Sequence, residues 1–254
     1  MKYYNIYHKF AKSAFRLTNR FINKFGVLIS KPEIIHGSPA FSGAVTQSRK
    51  NFMLKYFYDM IADIEGDVVE AGVHWGYGLL NHLLFTSKPY KTRMIYAFDS
   101  FLGHSKATKE DKSNNNFIDL GNSFAISKDD VYKTLNYGTE ATKKELNTKI
   151  KLVAGWAQDS MPNFNDSNKI AFVNSDMDIY EPVKTTLESF WPKLSVGGVI
   201  CVGKINNPEL MGKTIAFTEF KSKLKDKTYI VKTVQIKEVN TLKPIEITYI
   251  KKIY

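Results

Sequence analysis

Asp67-Val68-Val69-Glu70-Ala71-Gly72-Val73-His74-Trp75-Gly76-Tyr77-Gly78 is the stretch on which the reading of this chain turns. A short apolar run ends in an acid, breaks at three glycines, and enters a helical apolar pattern through Leu79, Leu80, Leu83 and Leu84. That order is strand, tight turn, helix. Glycine permits the turn and a close approach of backbone to a ligand. The helix behind it presents free N–H groups in its first turn. The spacing is Glu-x-Gly-x-x-x-Gly rather than Gly-x-Gly-x-x-Gly, which fits a dinucleotide pyrophosphate poorly. By itself the pattern is equally that of an ordinary strand-to-helix turn in an α/β domain.

Outward from this turn, Arg49 to Ile64 carries Phe52, Met53, Tyr56, Phe57, Met60 and Ile61 at helical spacing. This helix precedes the first strand, and residues 33–48 before it read as loop, punctuated by Gly37, Ser38, Pro39 and Gly43. Downstream, Met94 to Phe98 reads as a second strand ending at Asp99-Ser100. An acid at that position is where α/β nucleotide folds hold ribose hydroxyls; a solvated strand-end acid fits as well. Residues 102–149 are polar and irregular, with Ser127-x-x-Asp130 as a helix start. A polar segment of this length is expected to be a lid over the active site, poorly ordered without ligand.

Ile150 to Val153 and Lys169 to Asn174 are two further strands, the latter running into Ser175-Asp176-Met177-Asp178-Ile179-Tyr180. Pro182 to Trp191 reads as a helix with proline at its start. Val199 to Val202 is a fifth strand, Ile215 to Leu224 a helix, and Tyr229 to Ile236 and Ile245 to Ile250 two closing strands. Strands alternating with helices predict a mostly parallel sheet with an antiparallel closing pair.

The chain has 254 residues and is 43% hydrophobic, which suits one α/β domain with additions. The single cysteine, Cys201, excludes an internal disulfide and a cysteine-rich metal site. Met1 to Pro32 is scattered with charge and lacks a continuous apolar core, unlike a secretory signal. No window is long and apolar enough to span a bilayer, so a cytoplasmic location is expected. The net charge of +11 favours anionic partners: nucleic acid, a phosphorylated sugar or an acidic membrane surface. Residues 1–32 carry seven basic side chains and no acid, interleaved with aromatics. Two roles fit this arm: peripheral contact with an anionic membrane, or packing on the domain or on the second subunit of a homodimer.

Five short stretches, in order, resemble the macrocin O-methyltransferase family of S-adenosylmethionine (SAM) dependent sugar O-methyltransferases. They are Gly66 to Val73, Ala97 to Gly103, Gly155 to Pro162, Asp176 to Glu181 and Leu194 to Ile200. The resemblance implies a Rossmann-like, seven-stranded class I methyltransferase domain, placed over 49–254; the basic helical arm and loop over 1–48 are read from their own composition. The resemblance also implies that Glu70, Gly72 and Val73 face the methionine end of SAM, and that Asp99 holds the ribose with Ser100 beside it. Trp156, Ala157 and Gln158 would border the adenine, since an indole stacks on a purine and an amide pairs with its polar edge. Asp176 would lie against the cofactor, Asp178 would be the general base, and His104, just past the second motif, would touch the acceptor or assist the base. The implied acceptor is a sugar or glycoside hydroxyl, with an anionic one favoured by the charge.

One departure from the family pattern matters. The family carries two further metal-binding aspartates after the fifth strand; this chain has Gly203-Lys204-Ile205 there. A Mg²⁺ site left with Asp176 alone is weak. The sequence therefore predicts no metal, with the Lys204 ammonium in the metal's place beside Asp176 and the acceptor oxygen. The alternative is a catalytically inactive SAM-fold binding or partner module. A nucleic-acid methyltransferase is disfavoured, because Asp176-Met177-Asp178-Ile179 stands where amino-methylating enzymes of that class carry Asn/Asp-Pro-Pro-Tyr/Phe.

Overall fold

The computed structural model describes residues 39–254 apart from 87–90, 115, 118, 120, 166–167 and 237–243, and side chains from residue 50 onward except those of 122 and 123. The basic arm of residues 1–32 lies outside the described residues. The unit that carries the sheet runs from Gln47 to Tyr254.

Helix α1 spans Pro39–Met60. The sequence begins this helix at Arg49; the structure begins it at Pro39, a residue whose fixed φ suits a first helical turn. Strand β1 (Asp67–Ala71) leads through the glycine turn into α2 (Tyr77–Phe85). Strand β2 (Ile95–Asp99) follows, then a 3₁₀ turn at Gly121–Phe124 and helices α3 (Lys128–Thr139) and α4 (Lys143–Leu146). Next come β3 (Ile150–Ala154), α5 (Ala157–Ser160), β4 (Ile170–Ser175), α6 (Tyr180–Phe190) and β5 (Leu194–Gly203). A 3₁₀ turn at Pro208–Leu210, α7 (Met211–Ser222), β6 (Tyr229–Ile236) and β7 (Ile245–Lys252) complete the chain.

The seven strands form one sheet in the order β3-β2-β1-β4-β5-β7-β6. Strands β1 to β5 pair in parallel; β7 runs antiparallel to both β5 and β6, as the sequence predicts. The central strands are buried on both faces, so they read as continuous apolar runs rather than alternating ones. Val69, Ala71, Tyr96 and Phe98 face a cluster with Val183, Leu187 and Phe190 of α6 and Phe217 and Phe220 of α7. On the opposite face, Val68 and Phe172 meet Leu54, Phe57, Tyr58 and Ile61 of α1. Ile95 and Ala97 meet Leu79 of α2 and Val131 and Leu135 of α3. Phe57 and Phe172 stack with ring centroids 5.1 Å apart.

Much of the polar 102–149 segment has regular structure. Ser127 caps α3 by accepting from the Asp130 amide, the start signal read from the sequence. Val131 and Leu135, four residues apart, then turn one face of α3 into the core. Asp111 anchors the earlier half. It is buried; Oδ1 accepts from the Tyr180 amide at 2.8 Å, and Oδ2 accepts from the Thr108 amide at 2.9 Å and its hydroxyl at 3.1 Å. Asp111 thus supplies, from far along the chain, the acceptor that Ile179 lacks at the start of α6.

The connections reverse direction between β1 and β4. In open sheets of this kind that switch point opens a crevice at the carboxyl ends of the strands. Gly72, Asp99 and Asp176, which follow or end β1, β2 and β4, meet there.

Candidate active site

The parallel ladder continues past the strand ends. The Gly72 amide donates to Phe98 O (2.9 Å), the Asp176 amide to Ala71 O (2.9 Å) and the Gly155 amide to Asp99 O (3.0 Å). These bonds fix four loops side by side. Gly72 adopts φ +93°, and a Cβ there would lie 2.7 Å from Asp176 O, so no larger residue fits the turn.

Asp99 joins two of these loops. Its Oδ2 accepts from the amides of Val73 (2.8 Å) and His74 (3.0 Å), and its Oδ1 from that of Phe101 (2.7 Å). A carboxylate has about four acceptor positions; three are filled from the protein and one remains toward the cleft. The carboxylate also holds His74 and Phe101 at φ +49° and +58°, values a non-glycine residue adopts only under constraint.

The cleft is lined by Gly72, His74, Asp99, Ser100, Trp156 and Ala157, and by His104, Ser105, Phe124, Asp176, Met177 and Asp178. It is an open cleft whose empty space, counting its mouth, is about 840 Å³. Of the residues singled out from the sequence, Gly72, Asp99, Ser100, Trp156, Ala157, Asp176, Asp178 and His104 line it. The others lie elsewhere. Val73 is buried and contributes its amide to Asp99. Gln158 and Lys204 are exposed and outside the lining.

Glu70 is fully buried beneath the turn instead of facing the cleft. Asn174 Nδ2 donates to its Oε2 at 2.7 Å. His82 Nε2 donates to the same oxygen at 2.8 Å, which leaves Nδ1 to accept from the Tyr58 hydroxyl at 2.8 Å. The other oxygen, Oε1, has no hydrogen-bond donor, and the Lys50 ammonium stands 3.4 Å away.

Lys50 itself donates to Asp176 Oδ2 at 2.8 Å. The cation beside Asp176 is therefore Lys50, from α1, and not Lys204. Burial works against the Lys50 charge, but Asp176 and Glu70 outweigh it and raise its pKa. Burial likewise pushes the Asp176 carboxyl up; Lys50, with Lys213 and His74, more than reverses this and holds it below the usual carboxylate range. Desolvation lowers the pKa of His74, against the pull of Asp99.

Asp178 stands between an ammonium and an imidazole. Its Oδ1 lies 3.5 Å from the ammonium of Lys213 on α7, and its Oδ2 lies 3.6 Å from His104 Nε2. The His104 ring in turn packs on Phe124, centroids 5.0 Å apart. Neither Lys50 nor Lys213 was singled out from the sequence, although a signal was present. Lys50, Leu54, Phe57, Tyr58 and Ile61 share one helical stripe, as do Lys213, Ala216, Phe217 and Phe220. A lysine in line with core residues is aimed inward.

Among the described residues, no three His, Cys, Asp or Glu side chains converge on a point that an ion would occupy. Both acids of the Asp176-Met177-Asp178 stretch already face ammonium groups.

The strand order, closed by the antiparallel pair, and the crevice at its switch point are those of a Rossmann-like class I methyltransferase. Residues 40–236 match the family described as macrocin-O-methyltransferase (TylF), and the chain belongs to that family. It is 27% identical over 146 residues to the demethyldecarbamoylnovobiocin O-methyltransferase of Streptomyces niveus, a match covering 55% of this chain and 53% of that one. It is 25% identical over 150 residues to the 8-demethyl-8-(2,3-dimethoxy-alpha-L-rhamnosyl)-tetracenomycin-C 4'-O-methyltransferase of Streptomyces olivaceus, covering 56% and 54%. The chain thus spans about half the length of the curated relatives it matches. The solved calicheamicin methyltransferase CalS11 superposes with a TM-score of 0.64 at 23% identity, over 81% of this chain and 79% of that one. This likeness carries the fold. Among the described residues, no helix is long and apolar enough to cross a membrane.

Proposed function

We propose that this protein transfers a methyl group from SAM to a hydroxyl of a sugar or glycoside, without a metal ion. The observation that carries the reading is that Asp99, Trp156 and Ala157 line the same cleft as Asp178 and His104. The first group suits a nucleoside: the free acceptor position of Asp99 takes a ribose hydroxyl, and the indole of Trp156 takes the purine face. SAM, when bound, supplies an electrophilic methyl on a sulfonium centre. Asp178 receives the hydroxyl proton as the acceptor oxygen takes the methyl. His104, 3.6 Å from Asp178, keeps that carboxylate turned into the cleft.

The sugar acceptor is supported by family membership and by the names of the two curated relatives, both O-methyltransferases, one of them named for a rhamnosyl substrate. The absence of a metal from the reaction is supported by the lysines that already face both acids.

The test is calorimetry with SAM and S-adenosylhomocysteine, followed by turnover on a panel of nucleotide-linked sugars and glycosides in EDTA. One cofactor site per chain and EDTA-resistant transfer are expected. Folded protein that binds neither ligand overturns the reading. Cofactor binding without transfer to any acceptor makes the protein a binding module instead. Turnover abolished by EDTA and restored by Mg²⁺ overturns the metal-free part alone.

A further inference from the structure

Lys213 lies on the inner face of α7, with Gly212, Ala216, Phe217 and Phe220, and is only 6% exposed. A buried ammonium is costly unless something compensates it. Its ion pair is with Asp178, at 3.5 Å. That is longer than the 2.7–2.9 Å of a charge-assisted hydrogen bond, so the ammonium is not locked onto this one oxygen. The Lys213 charge also reaches Asp176, whose carboxyl it helps to hold down. Where the chain leaves β5, Gly203 carries no side chain, and the Lys213 ammonium lies 3.9 Å from where a Cβ would stand. A carboxylate at that position would meet Lys213 rather than an ion.

We propose that Lys213 is the resident cation of the acceptor site: it occupies the space a divalent ion would need beside Asp178 and positions that carboxylate for the reaction. The kinetic half of this proposal rests on the methyl-transfer reading; the ion-exclusion half does not. The charged or titratable groups against Asp178 are Lys213 from α7 and His104 from the loop after β2; Asp176, two residues before it in the chain, pairs with Lys50. As the acceptor hydroxyl gives its proton to Asp178, the carboxylate becomes a neutral acid. The oxygen forms its bond to the methyl carbon, and the carbon–sulfur pair returns to sulfur, leaving a neutral thioether. One positive and one negative charge disappear together, and Lys213 is unchanged. Lys213 is not itself among the residues lining the cleft, so during the step it acts through Asp178, 3.5 Å away.

The test is a Mn²⁺ titration followed by electron paramagnetic resonance, on the full chain, with Lys213→Met and Lys213→Arg as variants. Wild type and Lys213→Arg are expected to bind Mn²⁺ no more tightly than about 1 mM, and Lys213→Met at least about tenfold more tightly. In parallel, Lys213→Met is expected to lower kcat about a hundredfold with the KM for SAM within about twofold, and Lys213→Arg to restore much of the loss. Wild type that binds Mn²⁺ in the micromolar range, or Lys213→Met with wild-type Mn²⁺ affinity and wild-type kcat, overturns the proposal. Should Lys213→Met fail to fold, the wild-type titration and the Lys213→Arg kinetics remain decisive. If no acceptor is turned over, methyl transfer fails as a reading, and the Mn²⁺ affinities alone decide the role of Lys213.

Discussion

Lys50 Nζ donates to Asp176 Oδ2 across 2.8 Å, joining helix α1 to the loop after β4, 126 residues later in the chain. The same ammonium stands 3.4 Å from the fully buried Glu70. One lysine therefore secures the outer wall of the cleft and the acid beneath its glycine turn.

Lys50→Met should destabilise the protein by about 3 kcal/mol, chiefly because it strands the fully buried Glu70; Asp176, whose side chain is 56% exposed, adds less. Chemical denaturation at neutral pH measures this. The pH dependence has a definite sign. Asp176 titrates below its ordinary 3.8 in the folded state, so its contribution is full above that value and is lost as pH falls through the lower folded one. Lys50 titrates above its ordinary 10.5, so its contribution is full below that value and is lost as pH rises through the folded one. The wild-type advantage over Lys50→Met should hold between these limits and shrink beyond both. An advantage that is flat from acid to alkaline pH contradicts the ion pair.

Asp99→Ala should weaken SAM binding by at least about tenfold, since three backbone amides and a ligand hydroxyl lose their acceptor together. Asp99→Asn keeps one carbonyl oxygen but turns an NH₂ toward amide donors, so it should bind between the two. Calorimetry on folded variants makes the comparison. Equal affinities for all three proteins would remove Asp99 from the cofactor site.

Cys201 is buried in β5, and burial pushes its thiol up to about 12. A thiol reagent at neutral pH should therefore label the native protein far more slowly than the unfolded one. The labelling rate then reports opening of β5 and should rise in Lys50→Met. Rapid labelling of native protein would contradict the packing of Val199, Cys201 and Phe172 against α1.

The sheet was legible because its strands announce themselves twice: as apolar runs in the centre and as alternation at the closing pair. The strand-end acid Asp99 and the stretch Asp176-Met177-Asp178 were legible for the same reason, since a residue at the carboxyl end of a parallel strand faces the crevice whatever its neighbours are. The cations were misplaced. Lys204 adjoins Gly203, whose φ of +74° turns the backbone at the end of β5, and its side chain is exposed. The two lysines at the acids come from helices distant in sequence, where a lone lysine is easily taken as solvated. Glu70 has the right position but a different surrounding: His82 and Asn174 hold it under the turn, and that depends on packing between α2 and β4. The segment reads as polar because few helical positions enter the core: Val131 and Leu135 of α3 and Leu146 of α4.

Asp111 gives the segment after β2 a character of its own. One carboxylate fastens the loop bearing His104, Ser105 and Phe124 to the Tyr180 amide, two residues beyond Asp178, and it does so in a gap against Gly212 that a Cβ would fill. This wall of the cleft is thus latched at Asp111, in addition to the contacts of Phe101 with Asp99 and of His104 with Asp178. A relative's segment grafted onto this scaffold would seat only if it brought an acid at the Asp111 position and found a glycine at 212. Under the methyl-transfer reading, swapping this latched loop is expected to change acceptor preference while the glycine turn and the sheet beneath it stay as they are.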